Sequence, residues 1–292
     1  MRSSGERDGA PLTASLLMAP GLGWLVVFMV VPSLLVLAVA FFERGVYGGV
    51  DWATPTLENF RRAFDPLYAR IFLDSASDAG AATLIALLIG YPAAYAITLQ
   101  PPRRQTALLF LAMLPFWTNY LIRTYAWIVL LNREGLINRV LIGAGLAAEP
   151  LPILYNSFAV VLGLVYNYVP FVILAVYSAL QRLDPSLAEA SRDLGAGPWV
   201  TFLRVTLPLT ASGVAAGAVF VFVLSIGNFV TPDLLGGGKV QMVGNLIYDQ
   251  FLSARDWPFG AALSMVLMAV MMVLLFLNAV AAAGAARGRH HA

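Results

Sequence analysis

Residues 181–208 read QRLDPSLAEASRDLGAGPWVTFLRVTLP. Asp184 followed by Pro185 is a favoured helix N-cap followed by the residue type favoured at the first helical position. A short helix over 186–194 is therefore predicted. Gly195 stands where a left-handed C-terminal cap is wanted. Gly197 and Pro198 open a second helix carrying Trp199, Phe202, Leu203 and Val205, and Leu207-Pro208 are expected to break it. The first helix would be about 13 Å long at 1.5 Å per residue. A helix that short is marginal alone in water, so its own membrane domain or a partner protein must hold it.

Long apolar runs flank this stretch. Of the 292 residues, 60% are hydrophobic and 12% charged, and the mean hydropathy is +0.78. A soluble domain carries about 25% charged residues, so the composition excludes a disordered chain, a collagen-like chain and an ordinary soluble globule. A spanning helix needs about 20 mostly apolar residues, and six runs qualify, at 16–42, 79–99, 106–131, 157–180, 209–230 and 259–283. They are too continuously apolar for alternating barrel strands. The fold class expected is an all-α membrane protein, with residues 1–292 forming one transmembrane domain. The first run is longer than a signal-peptide core and no A-x-A site follows Phe42, so it reads as a retained span stopped by Glu43 and Arg44.

Six spans put both termini on one face. Lys and Arg divide evenly between the two faces, so the count alone does not orient the chain. Arg103, Arg104, Arg287 and Arg289 sit directly at span ends and favour cytoplasmic termini. A net charge of +2 implies no nucleic-acid partner, and the absence of cysteine removes disulfides and thiolate chemistry. Between the first two spans, Leu57, Phe60, Phe64, Leu67 and Ile71 form one helical stripe. Thr54-Pro55 would start that helix and Pro66 would kink or end it. It would either lie in the membrane interface or pack on neighbouring spans.

The chain has one lysine, Lys239. It follows Gly236-Gly237-Gly238, but Val240 comes next and Asp233 occupies the first glycine position of a phosphate-binding loop, so no such loop is present. The glycine run reads as a flexible turn. The two histidines, His290 and His291, lie in the tail, and no metal site, cofactor site or nucleophile triad is expected.

Glu189-Ala190-Ser191, Gly195, Val205 and Leu207-Pro208 match the spacing of the cytoplasmic loop of ABC importer permeases: EAA, three residues, G, nine residues, I, one residue, LP. Ser191 replaces the third alanine and Val205 the isoleucine. The chain resembles the spermidine/putrescine-type branch of that family. Further stretches carrying the resemblance are 114–117 (LPFW), 123–127 (RTYAW), 230–237 (VTPDLLGG), 245–247 (NLI) and 257–260 (WPFG). The resemblance implies a type I ABC importer permease whose coupling loop, at 181–208, carries a short helix that sits in a groove of an ATPase subunit. It also implies the bacterial inner membrane and a set of partners. These are a second permease subunit, two cytoplasmic ATPase subunits that hydrolyse the ATP, and a periplasmic or lipid-anchored binding protein that delivers a small-molecule substrate. Polyamines are the expected cargo, with opines, other amines, phosphonates or metal ions as alternatives. A secondary transporter would need intramembrane acids that the spans barely contain.

Polar and aromatic residues within or beside the spans are the candidates for the pathway. They are Trp117, Asn119, Tyr120, Trp127, Tyr166, Asn167 and Asn228, with Asp233 and Asp249 as acidic candidates in the segment after the fifth span. Aromatic faces suit an ammonium group, while interface belts and helix-joining amides explain the same residues without a ligand. Arg123 works against a cation and is expected to pair with a carboxylate or to cap backbone carbonyls.

Overall fold

The structure is a computed structural model, and it describes residues 10–288. In chain order the elements are α1 (Ala10–Leu25), a π turn (Val26–Val30), α2 (Val31–Val39), β1 (Phe42–Arg44), β2 (Val50–Pro55), α3 (Glu58–Ala63) and α4 (Pro66–Thr98). Next come α5 (Pro102–Met113), a 3-10 turn (Leu114–Trp117), α6 (Tyr120–Leu131), α7 (Leu136–Gly143) and α8 (Ser157–Leu180). Then follow α9 (Pro185–Asp193), α10 (Pro198–Thr201), a second π turn (Phe202–Thr206), α11 (Leu207–Ile226), α12 (Val230–Gly236), α13 (Val243–Leu252) and α14 (Trp257–Gly288). Among the described residues, five helical stretches are long and apolar enough to cross a membrane, and Pro102–Trp117 with Tyr120–Gly143 makes a sixth if the pair is counted as one broken span.

That break departs from the continuous 106–131 helix expected from hydropathy. The segment bends by 85°. Pro115 sits in the 3-10 turn, Thr118 is extended, and Asn119 caps α6 by accepting from Leu121 N at 2.8 Å. A proline removes one ladder bond and an asparagine cap starts a new helix, so local chemistry overrides a continuous apolar run.

Two compact units emerge. The first joins residues up to Asp65 with Asp249–Val266. In it the apolar side chains from Met18 to Leu35 are exposed, as suits a helix whose solvent is lipid. β1 and β2 pair antiparallel, Glu43 opposite Asp51 and Arg44 opposite Val50, around a turn in which Gly48 and Gly49 have φ of +90° and +79°. The expected helix start at Thr54-Pro55 is therefore overturned. Proline is tolerated at the end of an edge strand, and it is the Thr56 hydroxyl that accepts from Glu58 N, at 3.1 Å. Buried Asn59 donates to Ala40 O and Phe42 O at 3.0 and 2.8 Å, tying α3 to the hairpin base. Asp256 accepts from Phe259 N at the start of α14 and pairs with Arg62 at 3.1 Å, while the Arg62 guanidinium lies 4.1 Å from the Phe259 ring centroid. Arg62→Ala strands the buried Asp256 carboxylate. It should cost about 1–3 kcal/mol, read as a lowered thermal midpoint in detergent, with Arg62→Lys losing less.

The second unit comprises Pro66–Tyr248 and the chain from Leu267. α4, α8 and α11 pack against one another. Gly90 lies against Val172, and Gly213 and Gly217 of α11 lie against Ala179 and Ala175 of α8. Small residues four apart on both helices bring the backbones close, the usual packing device where lipid removes the hydrophobic drive.

Candidate functional site

The loop at 181–208 starts with Asp184, whose carboxylate accepts from Ser186 N at 3.0 Å. That backbone bond, aided by the Ser186 side chain, holds the Asp184 carboxyl below its usual 3.8. A depressed folded-state pKa means that the cap is charged at neutral pH and is lost only as the pH falls below the ordinary carboxylate range. Gly195 has φ +83° and open space around it, so backbone conformation, not crowding, requires glycine there. Ser191 Oγ and Thr201 Oγ1, 3.1 Å apart, clamp α9 to α10.

Leu207-Pro208 do not break the second helix. Pro208 falls in the first turn of α11, just after the π turn that holds Val205, and residues 198–226 stay helical throughout. The wider π turn gives up the hydrogen bond that a proline cannot make. Trp199 stacks on Phe202, with centroids 5.6 Å apart, and Phe202 meets Tyr91 and Tyr95 of α4 edge-on, each at 5.5 Å. Behind the loop, Gln105 Oε1 accepts from Tyr177 OH and Gln181 Nε2 at 2.7 and 2.9 Å, and Gln105 Nε2 donates to Thr98 O and Gln100 O. The ends of α4, α5 and α8 thus meet at one side chain. The outward surface is uncommitted: Glu189 and Ala190 are exposed, as are Trp199 and Leu194, the latter at 89%.

A second constellation lies within the helices. Asn228 Nδ2 donates to Tyr120 OH and to Tyr168 OH, each at 2.7 Å, and Asn228 Oδ1 accepts from Thr231 N. Tyr120 OH also bonds Thr231 Oγ1, and Tyr168 OH donates to Leu224 O. α6, α8, α11 and α12 therefore meet in one polar cluster. Asn167 and Ser225, neighbours of cluster residues along the chain, are buried with Oδ1 and Oγ unpartnered. The expected carboxylate partner of Arg123 is missing. The ion pairs among the described residues are Arg61–Glu58, Arg62–Asp256 and Arg70–Asp74. Instead the Arg123 guanidinium lies 5.7 Å from the ring centroids of Phe116 and of Tyr120.

The loop spacing and the helix arrangement meet in one comparison: the family of binding-protein-dependent transport system inner membrane components matches residues 15–286. The chain belongs to that family. The permease is 48% identical over 254 residues to the spermidine/putrescine transport system permease protein PotB of Haemophilus influenzae, covering 87% of this chain and 88% of the relative. It is 42% identical over 253 residues to PotB of Escherichia coli K12, covering 87% and 92%. Among solved structures, a bacterial alginate ABC transporter in complex with an alginate pentasaccharide-bound periplasmic protein matches with a TM-score of 0.74 at 17% identity, over 94% of this chain and 96% of that one. The fold is that of type I ABC importer permeases.

Within the permease the remaining candidates scatter. Trp117 is exposed and meets Phe110 edge-on. Asn119 is occupied as a helix cap. Trp127 and Tyr166 meet edge-on at 5.5 Å, apart from the hydrogen-bonded cluster. Asp233 is exposed in the first turn of α12, in the second unit, and Asp249 lies in the first unit. Gly236 to Gly238 form a helix end, not a loose turn: Gly237, at φ +56°, caps α12 against the Tyr155 ring. His290 and His291 lie outside the described residues. Thr231 was not among the candidates. Its position in VTPDLLGG hints at a turn, but nothing in the sequence announces a bond to Tyr120, 111 positions away.

Proposed function

We propose that the permease is one of two membrane subunits of an ATP-driven importer that carries polyamines, of the putrescine and spermidine class, by alternating access. The observation that carries the reading is 48% identity, spread over 87% of the chain, to a relative whose name gives those two solutes. The cluster around Asn228 suits such a cargo: tyrosine hydroxyl oxygens with a spare lone pair, and aromatic faces, both take a protonated amine. The partners are a second permease, a binding protein on the outer face and two ATPase subunits on the inner face, which hydrolyse the ATP. Glu189, Ala190, Ser191 and Gly195 form the surface that meets an ATPase, with Val205, Leu207 and Pro208 joining it to α11. Both termini are cytoplasmic. The bond that Gln181 Nε2 donates to Gln105 Oε1 supports this, since it groups the connection after α4 with the loop after α8. The bond from Tyr155 N to Leu235 O, at 3.0 Å, groups the connections before α8 and after α11.

The test is uptake of labelled putrescine and spermidine into vesicles holding the whole complex with its binding protein. Wild type should accumulate both amines only with ATP. Glu189→Arg, which reverses a charge on an exposed face without touching the core, should cut uptake at least tenfold while the complex stays assembled. Wild-type vesicles that accumulate neither amine would overturn the cargo, and full uptake by Glu189→Arg would overturn the coupling role.

A further inference from the structure

Arg123 is 7% exposed, and its Nε and Nη1 have no hydrogen-bond partner among the described residues. Guanidinium stays protonated at any physiological pH. A buried cation is normally held by a carboxylate, and an Arg–carboxylate pair projects almost no net field. Here the holding groups are the ring faces of Phe116 and Tyr120. A ring quadrupole attracts a cation but brings no charge to cancel it, so the monopole survives. Arg123 also sits in the first turn of α6, a 12-residue helix, where the helix dipole is positive and adds to the field. One of the two rings that hold it belongs to Tyr120, whose hydroxyl is in the Asn228 cluster.

We propose that Arg123 is a specificity-determining residue that sets how strongly the path past Tyr120, Tyr168 and Asn228 disfavours each additional positive charge on the cargo. This rests on the polyamine reading above and goes beyond it: the permease itself, and not only the binding protein, discriminates among amines, and it does so by charge. A cation lodged at the cluster would be on the order of 10 Å from the guanidinium. At an effective dielectric of about 20, one unit of charge at that distance changes affinity by roughly tenfold. Arg123 therefore slows passage of a triamine, relative to a diamine, by about tenfold.

The experiment uses the complete complex in vesicles, with binding protein saturated by each amine in turn. It compares wild type with Arg123→Lys and Arg123→Gln. Arg123→Gln should raise the triamine-to-diamine ratio of uptake rates by about tenfold, and Arg123→Lys, which keeps the charge, should leave it within twofold of wild type. Stimulation of ATP hydrolysis by loaded binding protein shows that each variant is assembled. A ratio unmoved in Arg123→Gln, or moved equally in Arg123→Lys, overturns the inference. If Arg123→Gln does not assemble, wild type alone decides. N-acetylspermidine, as long as the triamine but carrying the charge of the diamine, should be taken up at the diamine's rate, and uptake at the triamine's rate overturns the inference. Wild-type vesicles that take up no amine overturn the cargo reading and this inference with it. Uptake of both amines with no charge dependence overturns the inference alone.

Discussion

Gly213→Leu should remove most of the correctly folded permease from the membrane. A Cβ on Gly213 would fall onto the Cβ of Ala179, and one on Gly217 would come within 2.8 Å of Ala175 Cβ. The neighbouring atoms belong to short side chains on a helix backbone, so nothing flexible can give way. Even Gly213→Ala should cost about 1–3 kcal/mol by overpacking. A swap tests whether the loss comes from this crossing: Gly213→Ala combined with Ala179→Gly returns the methyl count to its starting value and should recover most of the stability. The measurement is the yield of monodisperse protein in detergent and its thermal midpoint. A double variant no better than Gly213→Ala alone would show that the two positions do not share one contact.

The second large effect is expected at Gly195→Val, and here stability should hardly change. Space around the position is open, so the added side chain hits nothing. Its cost is the left-handed backbone, about 1–2 kcal/mol for a residue with a Cβ and more for a β-branched one. The loop escapes that cost by changing φ, which swings α9 away from α10 and redirects Glu189 and Leu194. A displacement equivalent to about 1.4 kcal/mol in docking the ATPase is a tenfold loss of productive complexes. ATP-driven uptake should therefore fall roughly tenfold or more while the protein stays in the membrane with an unchanged elution profile. Gly195→Asn should retain much more, because asparagine enters the left-handed region more readily. Equal losses for Val and Asn would mean that the conformation of Gly195 is not what the coupling needs.

These two positions mark the difference between what the sequence disclosed and what it did not. The cap at Asp184, the short α9 and the left-handed turn at Gly195 are local: each depends on residues within a few positions, and the chemistry of those residues decides them. The break at Thr118-Asn119 is equally local, but hydropathy averaged over 20 residues hides a proline and a cap inside an apolar run. The hairpin at 42–55 was concealed by a coincidence. Leu57, Phe60, Phe64, Leu67 and Ile71 do keep helical spacing, yet Leu57 to Phe64 belong to α3 and its caps while Leu67 and Ile71 belong to α4, which Pro66 opens, and the strands precede both. The polar cluster was legible only in part. Tyr120, Asn167 and Asn228 stand out as polar groups in hydrocarbon. The joining of Tyr120 and Asn228 with Thr231 and Tyr168 is a tertiary fact linking positions up to 111 apart, and Asn167 stays outside it. That Arg123 makes no ion pair among the described residues could not be read at all, because a sequence does not show which side chains meet.

The continuity of residues 198–226 has a mechanical consequence. Over 29 residues at 1.5 Å each, it forms a lever arm about 44 Å long. Its foot carries Trp199, against the loop surface, and Asn228 follows two residues beyond its tip. A tilt of about ten degrees at the foot sweeps the tip through roughly 8 Å at that length. That exceeds the reach of the hydrogen bonds from Asn228 to Tyr120 and Tyr168. A small movement at the loop would in this way be geared up into the making or breaking of the tyrosine–asparagine cluster at the far end of the helix.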